Sequence, residues 1–362
     1  MRMARGVTLV GASIAALLMA ACAPETIVEP NTTVTASPDA VERTTAPTPP
    51  PDPRPAVIWP LTGLDATAAS DADLNRPALS VKIENTTAAR PQSNLEFADV
   101  VFEEMVEYGI SRLVAIYQSD YPETVGPIRS MRPMDRNIVG SFRGPLIFSG
   151  AQRRFINQAA ASGITLIAQD VGSGGFFRTK DKPAPHNLHG YLARFQEQSK
   201  GAKAPKEQWK FAYPATMASA AMDGKATKSI YIRFSGHAQP HWDWDAQSGL
   251  WKRFEGSKPH VVQSGKQLTA TNVVVLWVTI QETGATPQGM SVPETLLAGK
   301  KGNGWVATDG KRIDITWSKK GQFNRFVIKD SNGEEVLLAP GQTWIELVPS
   351  NSNHRSSVEF DK

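Results

Sequence analysis

Two arginines and a serine fall together in Gly126-Pro127-Ile128-Arg129-Ser130-Met131-Arg132-Pro133, just ahead of a helix expected over 133–142 with proline at its first position. The start of a helix offers free backbone N–H groups and a partial positive charge. Planar guanidinium donors beside it make Arg129, Ser130 and Arg132 a candidate site for phosphate or carboxylate. The competing reading pairs both arginines with nearby acids that only fix a loop. Such acids lie at 100–107, which with 110–118 is expected to form a β-hairpin about Tyr108-Gly109. With a two-residue turn Met105 faces Arg112, so Glu103, Glu107 and Arg112 share one side and Glu104 takes the other. A three-residue turn reverses that parity. Carboxylates beside an arginine can form a general-base site, a cation site or an ion-pair network, the last being the commonest.

A second basic stretch runs from Gly172-Ser173-Gly174-Gly175-Phe176-Phe177 through Arg178-Thr179-Lys180-Asp181-Lys182 to Ala184-Pro185-His186-Asn187-Leu188. Glycines with aromatics and cations suit a lid over an anionic ligand. The strand-to-helix context of a nucleotide-binding P-loop is missing. Asn187 is expected to cap a helix running to about residue 198, and His186 beside it is a candidate acid/base or a structural hydrogen-bonding group. Trp242, Trp244 and Trp251 could stack on a sugar or fill a core. No GxSxG elbow or HExxH motif occurs, and Cys22 is the only cysteine. No metal or cofactor is expected.

The elements that must hold these residues follow from periodicity. Strands at 78–83, 145–148 and 165–169 with a helix at 151–162 predict an α+β (or α/β) N-terminal domain with a mixed sheet over 57–200. The polar stretch at 199–206 is the expected boundary. From 207 to 349 the pattern becomes mostly β, with strands at 229–234, 242–245, 250–254, 272–280, 304–308, 311–317, 325–329 and 344–347. Residues 350–362 are expected to be a flexible tail.

At the other end, Arg2 and Arg5, an apolar run and Ala20-Ala21 before Cys22 make a three-part secretion signal over 1–21, too short to span a bilayer. Ala-Ala-Cys at its end resembles a bacterial lipobox, so Cys22 is expected to carry acyl chains that anchor the protein extracytoplasmically, at about 0.8 kcal/mol per buried CH₂. Residues 22–56, rich in Thr and Pro, are expected to be a disordered tether. The net charge of +4 becomes +2 once Arg2 and Arg5 leave. The remaining basic residues are interspersed with acids, so no nucleic-acid partner is expected.

Several polar segments together resemble the YerB-like lipoprotein family, a domain of unknown function in N- and C-terminal parts. They are Ile83-Glu84-Asn85, Ala89-Arg90-Pro91-Gln92-Ser93, Ala98-Asp99-Val100-Val101-Phe102-Glu103, Gly109-Ile110-Ser111-Arg112, Val125-Gly126-Pro127-Ile128-Arg129-Ser130, Ala184-Pro185-His186-Asn187-Leu188 and Pro340-Gly341-Gln342-Thr343-Trp344. The resemblance covers nearly everything after the tether. It implies a lipid-anchored envelope protein of two linked parts, carries over no catalytic residue, and groups Arg90, Glu103, Arg112, Arg129, Arg132 and His186 as one constellation. Three functions compete. One is binding of an anionic envelope ligand, such as a phosphorylated glycan or a lipid-linked precursor, through Arg129, Ser130 and Arg132. Another is docking of an envelope protein through the β-rich half. The third is a hydrolase or transferase of envelope polymers with Glu103 or His186 as acid/base.

Overall fold

Alternating apolar residues, broken by turns rich in Gly, Asp and Asn, divide the chain into many short strands. The computed structural model describes residues 53–284, 291–351, 353 and 355–361. Cys22, the secretion signal and the tether up to residue 52 lie outside them. The longer strands are β1 (Leu79–Glu84), β2 (Val100–Met105), β3 (Ser111–Tyr117), β4 (Leu146–Phe148), β5 (Leu166–Ala168), β6 (Ser229–Arg233), β7 (Pro240–Asp245), β8 (Leu250–Glu255), β9 (Asn272–Glu282), β10 (Lys300–Thr308), β11 (Lys311–Lys319), β12 (Thr343–Pro349) and β13 (Ser357–Asp361).

One mixed sheet dominates. Its order is Lys225–Ala226, β11, β10, β9, β12, β2, β3, β1, β4, β5, with Pro293–Leu296 added beside β9 and Val327–Lys329 beside β11. Pairs β9–β12, β12–β2, β1–β4 and β4–β5 are parallel, and β1–β3, β2–β3, β9–β10 and β10–β11 are antiparallel. The join at β2 and β12 matters most. It sets strands from before residue 200 and after residue 207 side by side, so both expected halves build a single sheet. The protein is mostly strand with few helices around a mixed sheet.

Both faces of the central strands are buried, so apolar residues are needed on each. Phe102, Val114, Leu276 and Ile345 pack against Ile138, Phe142 and Phe155 from the helical segments. Val101, Leu113, Val273 and Trp344 pack against Ile230, Trp242 and Trp251 of a second sheet ordered Lys258–Pro259, β8, β7, β6, β13. Each such side chain contributes about 1.5–3 kcal/mol relative to exposure. Trp242 and Trp251 are fully buried, which assigns them to the core rather than to a sugar platform.

Three expectations change. The helix sought at 133–142 is a five-residue α-helix, Asp135–Val139, followed by a 3-10 turn at Gly140–Phe142. Asp135 folds back to accept the Arg132 N–H at 2.7 Å, so the chain's own carboxylate serves the turn where an external anion was expected. Asn187 caps no helix. It precedes the strand Leu188–Tyr191, accepts from Arg178 Nη1 at 2.8 Å and donates to the Thr179 carbonyl at 2.7 Å, while the helix Leu192–Gln198 starts after Tyr191. The supposed tail supplies β13, which pairs with β6 along its length.

Candidate functional site

The hairpin turn decides which charged residues meet. Val106 N–H donates to the Ile110 carbonyl at 2.8 Å, so the turn holds three residues, Glu107-Tyr108-Gly109, with Tyr108 and Gly109 at φ 63° and 67°. Both occupy the left-handed region, which glycine enters freely and tyrosine only at a cost. The extra residue sets Glu104 opposite Arg112 and Glu103 opposite Leu113. Successive strand residues face opposite ways, so Glu104 joins Arg112 and Glu103 goes to the far face. This reverses the parity expected of a two-residue turn.

On the Arg112 face three arginines meet two acids. Glu84 of β1, opposite Arg112, holds Arg129 Nε at 3.2 Å and His186 Nδ1 at 2.9 Å, and it accepts from Thr86 Oγ1 at 2.8 Å. Glu107 takes Arg132 Nε at 2.7 Å. Burial pushes the Glu107 carboxyl up, but the charge and hydrogen bond of Arg132, with smaller help from a backbone hydrogen bond and Arg112, together hold it below its ordinary value. Arg112 itself is 6% exposed, donates from Nη1 to the Ser130 carbonyl at 2.9 Å, and leaves Nε without a hydrogen-bond partner among the described residues. Burial, then the charges of Arg132 and Arg129, push its guanidinium down to about 9 despite Glu107 and Glu84. Deeper on this face Lys82 lies between Glu104, which it contacts, and Asp135 Oδ1 at 2.8 Å, all fully buried. Burial and the Asp135 charge raise the Glu104 carboxyl to about 8, despite the opposing charge of Lys82. A cleft of about 350 Å³ opens beside Glu107, Ser130, Arg132 and Gln152.

The far face holds a closed network. Arg253 of β8 is wholly buried and donates to Glu103 Oε2 at 2.6 Å, Glu346 Oε1 at 2.9 Å, Glu255 Oε1 at 2.8 Å and His260 Nδ1 at 3.1 Å. Trp242 Nε1 adds a bond to Glu346 Oε1 at 2.9 Å. Asn85 reaches Glu103, Ser111 and Glu255, and Gln92 Oε1 meets His260 Nε2 at 2.9 Å. Arg90 Nη1 approaches Glu255 Oε2 at 3.6 Å. Burial and the neighbouring Glu103 hold the Glu346 carboxyl well above its ordinary value. Burial and the charges of Arg253 and Arg90 push His260 well below its own, leaving it neutral. Four of these contacts, Glu103–Arg253, Asn85–Glu255, Gln92–His260 and Arg90–Glu255, join residues before 112 to residues from 253 onward, so this network ties the two halves together.

The constellation of six is therefore two. Arg112, Arg129, Arg132 and His186 gather with Ser130 on one face, while Glu103 and Arg90 belong to the Arg253 network on the other. Asn187 stands apart, held by Arg178 and the Thr179 carbonyl. Glu103 cannot partner His186, whose carboxylate is Glu84. Sequence reasoning missed Glu84, Lys82, Asp135, Arg253 and Glu346 as site residues. A signal existed for two of them: Arg253 follows Trp251, and Glu346 follows Trp344, at the period-two spacing of a core-facing position.

The fold and its two polar clusters define a class with no assigned chemistry. The chain belongs to the DUF3048 family, "Protein of unknown function", whose N-terminal domain matches residues 61–209 and whose C-terminal domain matches 230–345. A named relative is "Putative lipoprotein YerB" of Bacillus subtilis (strain 168), 26% identical over 300 residues that cover 80% of this chain and 86% of the relative. The crystal structure of the YerB protein from Bacillus subtilis superposes with a TM-score of 0.70 at 22% identity, covering 84% of this chain and 99% of that one, and so shares the fold.

Proposed function

We propose that the chain is an extracytoplasmic lipoprotein, anchored through Cys22, whose folded part binds an anionic group of an envelope glycan or lipid-linked molecule at Arg112, Arg129, Ser130, Arg132 and His186. The relative's name supports the anchor. The observation that carries the binding is the shortage of acceptors at Arg112, a buried guanidinium with one carbonyl acceptor among the described residues, flanked by Arg129 and Arg132, whose carboxylate partners are Glu84 and Glu107. Desolvating a cation without a matched partner is costly, and a bound anion offsets the cost. Arg129 and Arg132 are part-exposed and can reach a ligand while keeping their acids. Calorimetric titration of the full chain with inorganic pyrophosphate tests this. R129K and R132K, which keep the charge but lose the planar fork, should each bind about 10-fold more weakly, a loss of about 1.4 kcal/mol. Equal affinity in the wild type and both variants would remove the reading.

A further inference from the structure

The inner face of the second sheet is core, but its outer face is not the polar surface that an antiparallel sheet ordinarily turns to water. Tyr231 of β6, His241 of β7 and Phe254 of β8 stand directly opposite one another. Their rings form a continuous row, with Tyr231 and His241 5.1 Å apart and His241 and Phe254 4.5 Å apart at 7°. Tyr231 is 42% exposed. The row lies in an open cleft of about 710 Å³ that Arg233, Gln239, Asp243 and Glu359 also line. Cross-strand ring packing alone stabilises a sheet by only about 0.2–1 kcal/mol per pair and needs no cleft.

We propose that this cleft is a saccharide-binding site for a neutral oligosaccharide of two or three rings. The lining selects that class. The charged lining residues are one cation, Arg233, and two acids, Asp243 and Glu359, so no net positive field attracts a polyanion. The polar rim is too dense for an acyl chain, and β6 and β7 are interior strands that offer no free edge to an extended peptide. What remains is a ligand with flat C–H faces and many hydroxyls, able to use aromatic surface and mixed donors and acceptors together. The row from Glu359 to Phe254 crosses four strands, about 14 Å at the usual inter-strand spacing, which is about three sugar rings.

The test is titration of the full chain with tri-N-acetylchitotriose. The wild type should bind saturably, Y231S should bind at least about 10-fold more weakly, and Y231F, which keeps the ring, within about threefold. Saturation-transfer NMR on the wild type should carry magnetisation from the Tyr231 ring to the sugar protons, a readout that stands even where Y231S fails to fold. No saturable binding, no transfer from Tyr231, or a folded Y231S that binds like the wild type would each overturn the proposal. R129K and R132K should leave trisaccharide binding unchanged, which separates this cleft from the arginine site.

Discussion

Glu103 and Glu104 are neighbours in sequence and lie on opposite faces of one strand, and the clusters they enter differ in kind. Around Glu103, Arg253 meets three carboxyls and an imidazole, every contact is internal, and the bond to Glu103 crosses between the two halves. On the Glu104 side, Lys82 is matched in depth, but toward the surface Arg112 is left with a single carbonyl acceptor. In the first network the cation meets three carboxyls, although Glu346 Oε2 has no hydrogen-bond partner among the described residues. In the second, the Arg112 guanidinium beneath a part-exposed rim meets one carbonyl. That contrast, rather than the number of charges, distinguishes framework from candidate site.

Removing the central arginine of each cluster should have unequal effects. R253M leaves Glu103, Glu255 and Glu346 buried together without their cation and should cost about 3–5 kcal/mol in urea unfolding. Next in size is a pH effect. Glu104 is raised to about 8 in the folded chain from an ordinary value near 4.5. Its stabilising contribution is therefore complete below about pH 4.5 and lost as pH rises through about 8, with a slope of up to about 1.4 kcal/mol per pH unit. E104Q should flatten the wild-type decline across that window by about one proton, read from unfolding curves at several pH values. R112M should fall within about 1 kcal/mol of the wild type, or above it, since it removes a desolvated cation with few partners. A loss as large as that of R253M would erase the distinction. Y108N, which places a residue tolerant of the left-handed region at φ 63°, should shift stability by no more than about 0.5 kcal/mol and leave the Glu104–Arg112 register intact.

Much of the framework was legible because alternation is a local property. Strands at 229–233, 250–255 and 311–319 follow from residues within a few positions of one another. β13 was hidden because Val358 and Phe360 are its only large apolar residues and follow a polar run. The site was harder for a different reason. Whether Glu103 or Glu104 joins Arg112 depends on one residue of turn length, and composition does not fix it. Glu84 lay inside a motif visible in the sequence, yet its partners are Arg129 and His186, brought in from 45 and 102 positions away by the parallel and antiparallel pairing of distant strands. Arg253 and Glu103 are 150 residues apart. Such contacts arise only from tertiary packing, which no local pattern encodes.

The central claim is that Arg112, Arg129 and Arg132 hold an anion while Arg253 does not. Nitrogen-detected NMR of the arginine Nε groups, with pyrophosphate added to the full chain at constant ionic strength, tests it directly. The resonances of Arg112, Arg129 and Arg132 should shift together and saturate at one midpoint while Arg253 stays fixed. Shifts that remain linear in pyrophosphate, or a cluster that moves no more than Arg253, would contradict it.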